Sequence, residues 1–152
     1  MKKAASLLIC TVLLFSSAAA EQTVALPGNR YVIDVPDGMK YSPAEEADEG
    51  IEAYISDTLE MDYFSYSVTD DMLTLQERAE EQAAKGSDVE IRTVNGIEML
   101  VYRVMDEADG APCIGYAFVD GTQIVEVFFW YATQEAADLT KRIMETIRVN
   151  NS

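Results

Sequence analysis

The stretch CIGYAFVDGTQIVEVFFWYA, Cys113 to Ala132, decides the fold. Two largely apolar runs flank Asp120-Gly121, a dipeptide suited to tight hairpin turns because its glycine accepts positive φ without steric cost. The pattern predicts a β-hairpin. With Asp120-Gly121 as the two turn residues, Val119 pairs with Thr122, and Ala117 lies opposite Ile124, Gly115 opposite Glu126 and Cys113 opposite Phe128. Successive side chains in a strand point to opposite faces. Ile114, Tyr116 and Phe118 therefore share one face with Val125, Val127 and Phe129, and that face is the expected main core.

The second face carries Cys113, Gly115 and Ala117 beside Ile124, Glu126, Phe128 and Trp130. Small side chains let another backbone come close to a sheet, so the first reading is a seat for a helix. Glu126 would then reach solvent or a partner such as Arg103 at the helix edge. The alternative is a shallow ligand groove with Glu126 on its floor and Phe128 and Trp130 as walls. Glu126, Phe128, Trp130, Cys113 and Gly115 are the candidate binding residues on either reading, and none is nominated as catalytic.

Before this hairpin, Asn95-Gly96 sits between two alternating runs, Asp88–Val94 and Ile97–Val104. Both central residues of a type I′ turn need φ > 0, which this dipeptide tolerates best, so a second hairpin is expected. Shorter strands are expected at Thr23–Leu26, Tyr31–Val35, Ile51–Ser56 and Met61–Val68, with turns at Pro27–Asn29 and Pro36–Gly38 and a polar loop over Ser42–Gly50. A helix should start at Thr74, whose spacing to Glu77 fits a capping box, and stop at Gly86. Leu75, Ala79 and Ala83 would form its buried face. A second helix, Gln134–Thr146, is capped by Thr133 and carries Ala136, Leu139, Ile143 and Ile147 on one stripe. Arg148–Asn150 could add a short last strand. The expected class is α+β: a mainly antiparallel twisted sheet of about six strands packed with two helices.

The first 20 residues, MKKAASLLICTVLLFSSAAA, pair a short basic start with an apolar run and small residues at Ala18–Ala20. This is the pattern of a secretory signal peptide cut before Glu21. Cys10 follows Ile9, where a lipobox would need a small side chain, so lipidation is not expected. Residues 21–152 then form a single exported domain, secreted or periplasmic, with no further apolar run long enough to enter a membrane.

Charge narrows the partners. The chain holds 11 basic and 27 acidic residues, and residues 1–20 contribute two of the bases and no acid, so the exported part stands at nine bases, 27 acids and a net charge of −18. Phosphate backbones and anionic lipid are poor partners for such a balance. Nucleic acid is excluded, and an unknown protein or small molecule remains.

Composition excludes most chemistry. There is no histidine, which removes Ser-His-Asp and Cys-His catalysis and the common zinc sites. Cys113 is the one thiol left after signal cleavage, so no internal disulfide can form. No P-loop, GxGxxG or GxSxG motif occurs, and no cofactor is implied. Two acid-based alternatives stay open. Calcium could be held by the acids at Asp57, Glu60, Asp62, Asp70 and Asp71 or at Glu45, Glu46, Asp48 and Glu49, although none has EF-hand spacing. A carboxylate hydrolase needs only two placed acids, but no pair stands out.

The layout over Val24–Val149 resembles the PsbP-like superfamily, which includes a photosystem II oxygen-evolving-complex subunit, a Ran-binding nuclear import factor and short exported bacterial proteins. The residues that carry the likeness are YVIDVPDGMKY, the helix TLQERAEEQAA, VNGIEMLVYRV, GYAFVDGTQIVEVFFWYA and the closing METIRV. The resemblance implies an antiparallel sheet between helices, an α/β/α sandwich. It implies a non-enzymatic adaptor or binding domain, such as an envelope-accessory module of a bacterium, in the cell envelope or outside the cell, and no functional residue transfers with it.

Overall fold

The computed structural model describes residues 21–43, 50–68, 74–105 and 110–152. The expected signal peptide, residues 1–20 with Cys10, the acids Glu45, Glu46, Asp48, Glu49, Asp70 and Asp71, and residues 106–109 lie outside the described residues.

Among the described residues ten strands and two helices follow one another as β1 (Glu21–Ala25), β2 (Tyr31–Pro36), β3 (Lys40–Ser42), β4 (Glu52–Ile55), β5 (Leu59–Ser67), α1 (Leu75–Ala84), β6 (Asp88–Val94), β7 (Ile97–Met105), β8 (Pro112–Asp120), β9 (Gln123–Tyr131), α2 (Gln134–Met144) and β10 (Arg148–Val149). The main sheet is antiparallel and has seven strands in the order β3-β4-β5-β9-β8-β7-β6. The main sheet agrees with the expected count of about six strands, and a second, smaller sheet stands beside it. β3 joins the main sheet, and β1 and β2 leave it to form a separate sheet of order β1-β2-β10. Their apolar side chains Val24, Leu26, Ile33 and Val35 still bury in the main core, so the small sheet is a second lid beside α2. The expected α+β class and layered order hold: α1 lies on one face of the main sheet, and α2 with the small sheet lies on the other.

The opening hairpin forms one step further along than expected. Asp120 pairs with Gln123, Val119 with Ile124, Ala117 with Glu126, Gly115 with Phe128 and Cys113 with Trp130. The turn residues are thus Gly121-Thr122, and Gly121 carries the positive φ of 63°. A II′ turn asks for φ > 0 only at its first central position, where glycine meets the demand and aspartate would not. The shift is two residues, and faces repeat every two residues. Ile114, Tyr116, Phe118, Val125, Val127 and Phe129 therefore all lie in the main core as expected. At Asn95-Gly96 both φ values are positive, 49° and 83°, and Val94 pairs with Ile97, as a I′ turn requires.

Thr74 caps α1: its Oγ1 accepts the Glu77 amide at 3.2 Å and donates to the Glu77 carboxylate at 2.7 Å. The helix ends with the Ser87 amide on Gln82 O and the Gly86 amide on Ala83 O, a Schellman closure that Gly86 permits at φ 88°. Leu75 and Ala79 bury, whereas Ala83 is exposed, because the last turn runs past the sheet's apolar patch. α2 is shorter than expected, ending at Met144; Ala136, Thr140, Ile143 and Met144 bury, and Ile147 is fully covered just beyond it. Among the described residues no helix is long and apolar enough to cross a membrane.

Candidate functional site

The face of the main sheet that receives α1 holds all five candidate residues. α1 packs over β6, β7 and β8, where Leu75 and Ala79 meet Leu100, Tyr102, Ala117 and Ile124. The helix seat expected from the small residues is therefore real at Ala117. Gly115 does something else. It pairs with Tyr102 across β7 and β8, and the phenol ring lies flat over it. A β-carbon at Gly115 would fall 2.7 Å from Tyr102 Cε1 and Cε2. The glycine makes room for a ring, and the ring touches the helix. Cys113 is buried beside Trp130 at the start of β8.

Glu126 is 3% exposed and lies at the centre of this face. A lone buried carboxylate is costly unless its charge is paired and hydrogen-bonded. Three donors meet it. Arg78 Nη2 lies 2.5 Å from Oε1, the Tyr66 hydroxyl donates to Oε1 at 2.7 Å, and the Tyr102 hydroxyl donates to Oε2 at 3.3 Å. The expected partner, Arg103, is corrected. It pairs with Ile114 in β8 and so points to the opposite face, where its Nη1 meets Asp88 at 3.3 Å. Arg78 was missed because the helix looked like an acidic solvent face outside its apolar stripe. Its signal was spacing: it stands three residues after buried Leu75, on the same side of the helix.

The electrostatics follow from the geometry. Burial, followed by the bond to Glu126, pushes the Tyr66 phenol up, and burial with the Glu126 charge pushes Tyr102 up still further. Both phenols stay protonated and act as donors. Burial works against the Arg78 charge, but the bond to Glu126 and its Coulombic attraction outweigh it and raise the guanidinium pKa. Glu81 reaches the other end of the same guanidinium at 3.3 Å. Both Glu126 oxygens are thus engaged. The carboxylate ties α1 to β5, β7 and β9 and is not presented to a substrate.

Beside this knot an aromatic strip continues across β5 and β9. Phe64 stacks on Phe128 at 5.8 Å between centroids, with planes 11° apart, and Phe128 meets Trp130 at 5.7 Å. Tyr102 stands edge-on to Phe128 at 5.7 Å. Phe64, Phe128 and Trp130 are each only half-buried, since α1 packs on the other strands. Phe64 was not among the expected residues; a register that pairs it with Glu126 brings it here. Among the described residues no three acidic or thiol groups come together to hold a metal ion. Glu60 and Asp62 project from β5 opposite Trp130 and Phe128.

No protein-family model and no curated protein matches the sequence. Solved structures do match the fold. A crystal structure from Bacteroides thetaiotaomicron superposes with a TM-score of 0.59 at 10% identity over 86% of this chain, which spans only 48% of that longer one. The solution structure of cyanobacterial PsbP from Synechocystis superposes with a TM-score of 0.58 at 15% identity, over 89% of this chain and 95% of the other. With its antiparallel sheet held between α1 on one face and α2 on the other, the chain has a PsbP-like fold.

Proposed function

We propose that this chain is an exported, non-catalytic accessory domain that binds a protein partner through the aromatic strip Phe64–Phe128–Trp130. The observation behind the reading is the contrast within one sheet face. Half of it is closed by α1 and riveted through Glu126, and the other half leaves three adjoining aromatics partly open. Aromatic side chains are enriched in protein interfaces because they bury much area at little entropic cost. The engagement of Glu126 by three donors speaks against its use as a general acid or base. Likeness to a cyanobacterial PsbP supports an accessory role, and the leader at residues 1–20 supports export.

The test places a photocrosslinking side chain at position 64 in the producing cell, with exposed Glu98 as the control position on the same sheet. The reading requires a crosslinked species of fixed mass from position 64 that is absent from position 98 and lost on Trp130→Ser. Equal labelling from both positions, or none, rejects it. Mass spectrometry of the mature chain checks export, with Glu21 expected at its N-terminus.

A further inference from the structure

On the opposite face, between α2 and the strands β6, β7 and β8, lies an open cleft of about 580 Å³. Arg92, Arg103, Lys141 and Arg142 line it, against one acid, Asp138, and the Tyr116 ring lies at its base. The placement runs against the composition. Residues 21–152 hold nine cations among 27 acids, yet four of the nine meet here.

These cations are also weakly committed. The tight ion pairs of this protein, such as Arg78–Glu126, Arg148–Asp34 and Arg30–Asp120, close to between 2.5 and 2.7 Å. Three of the cleft cations meet acids that lie outside its lining, and at longer range: 3.3 Å for Arg103–Asp88, 3.5 Å for Arg92–Glu90 and 3.7 Å for Lys141–Glu145. Arg92 is held by Tyr116, with its guanidinium 5.5 Å from the ring centroid and Nη2 3.4 Å from the hydroxyl. Its Nε is buried and meets no acceptor among the described residues. A buried donor without a partner is unusual, and it marks a guanidinium whose hydrogen-bonding capacity is not used up within the fold.

We infer that this cleft is a binding site for a small multivalent oxyanion, bearing phosphate or carboxylate groups. Guanidinium groups match both oxyanions with paired, charge-assisted hydrogen bonds. Three arginines around one cavity can take two such groups, and the volume suits an organic molecule of metabolite size. The site is independent of the aromatic strip, which lies on the other face of the sheet.

The experiment is a set of thermal melts and calorimetric titrations of the purified protein with pyrophosphate and, separately, citrate, at ionic strength held constant with sodium chloride. That control removes the general relief of self-repulsion expected for an acidic protein. The expected result is a rise in midpoint of several degrees with at least one of the two when it is present well above its Kd. Pyrophosphate alone would assign phosphate chemistry, and citrate alone carboxylate chemistry. Arg92→Gln with Arg142→Gln should weaken binding by at least about tenfold, and Arg30→Gln, outside the cleft, should leave it unchanged. The inference is overturned if neither anion moves the midpoint, or if the cleft variant responds as the parent does. Calorimetry on the variant, with its own melt as the folding check, keeps loss of binding distinct from loss of structure.

Discussion

Arg78 Nη2 and Glu126 Oε1 stand 2.5 Å apart and 48 residues apart in the chain, joining the first turn of α1 to the middle of β9. The pair is nearly closed to water, with side-chain exposures of 17% and 4%. Removing one member of a buried pair strands the other, at a cost of about 3–5 kcal/mol, whereas replacing both with apolar residues can be close to neutral. Arg78→Ala and Glu126→Ala should each lower the denaturation midpoint by that scale. Arg78→Met with Glu126→Leu should be more stable than either single variant. Chemical denaturation of the four proteins measures this, and additive losses would show that the pair does not act as a unit.

Tyr102 and Gly115 predict a second coupling. Gly115→Ala places a methyl group inside the space of the Tyr102 ring and should destabilise by about 1–3 kcal/mol, the usual cost of overpacking. Combining it with Tyr102→Leu should recover part of that loss, because the obstructing ring is gone. A thermal melt decides; no recovery would mean that the strain lies elsewhere. Tyr102→Phe keeps the ring and loses only the 3.3 Å bond to Glu126, for about 1 kcal/mol.

Asn95 does two jobs at the tip of the β6–β7 hairpin. Its φ is 49°, and its Nδ2 donates to Glu145 O at 2.8 Å and Ile147 O at 3.0 Å, closing the end of α2. The two jobs separate by mutation. Asn95→Gly keeps the turn and loses the bonds, about 0.5–1.5 kcal/mol each. Asn95→Ala loses the bonds and adds the strain of a left-handed backbone, about 1 kcal/mol more. Unfolding midpoints should fall in the order parent, glycine, alanine; an alanine variant as stable as the glycine one would contradict the turn assignment.

Asp34 gives the stability a pH dependence. Arg148 grips its two oxygens at 2.6 and 2.8 Å, and this bond, together with one from Thr23, holds the carboxyl below its ordinary value of 3.8. A depressed folded pKa contributes stability that is present above the unfolded pKa and is lost as pH falls through the folded one. The gain is modest, up to about 1 kcal/mol, because the pair is partly solvated. Asp34→Asn should therefore cost stability at neutral pH, and that cost should shrink as pH falls through the parent's depressed carboxyl pKa. A difference that persists unchanged into acid would remove the ion pair as its cause.

Calcium supplies a further check. Melts in EDTA and in millimolar Ca²⁺ should share one midpoint. A rise of several degrees, the mark of a ligand at about 100 times its Kd, would instead direct attention to Glu45, Glu46, Asp48, Glu49, Asp70 and Asp71.

Much of this architecture was legible in the sequence, and for local reasons. Alternation sorted the side chains of β8 and β9 onto their correct faces, and that sorting survived a two-residue error in register because the strand period is itself two. Asn95-Gly96, Thr74 with Glu77, and Thr133 each act within a few residues, so their turn and caps were readable from spacing alone. Only the tertiary structure decided which distant groups met. Arg78 reaches Glu126 because α1 packs across β6, β7 and β8, and Arg103 fails to reach it because the β7 pleat turns it to the other side. β1 and β2 form a sheet of their own because β10 returns to pair with β2. The sequence by itself determined which strand faces bury and, to within a residue, where the chain turns, since those depend on hydrophobicity and φ. The partner of the buried carboxylate, the half-open aromatic strip and the cationic cleft depend on how far-apart elements pack, and no short window of residues encodes that.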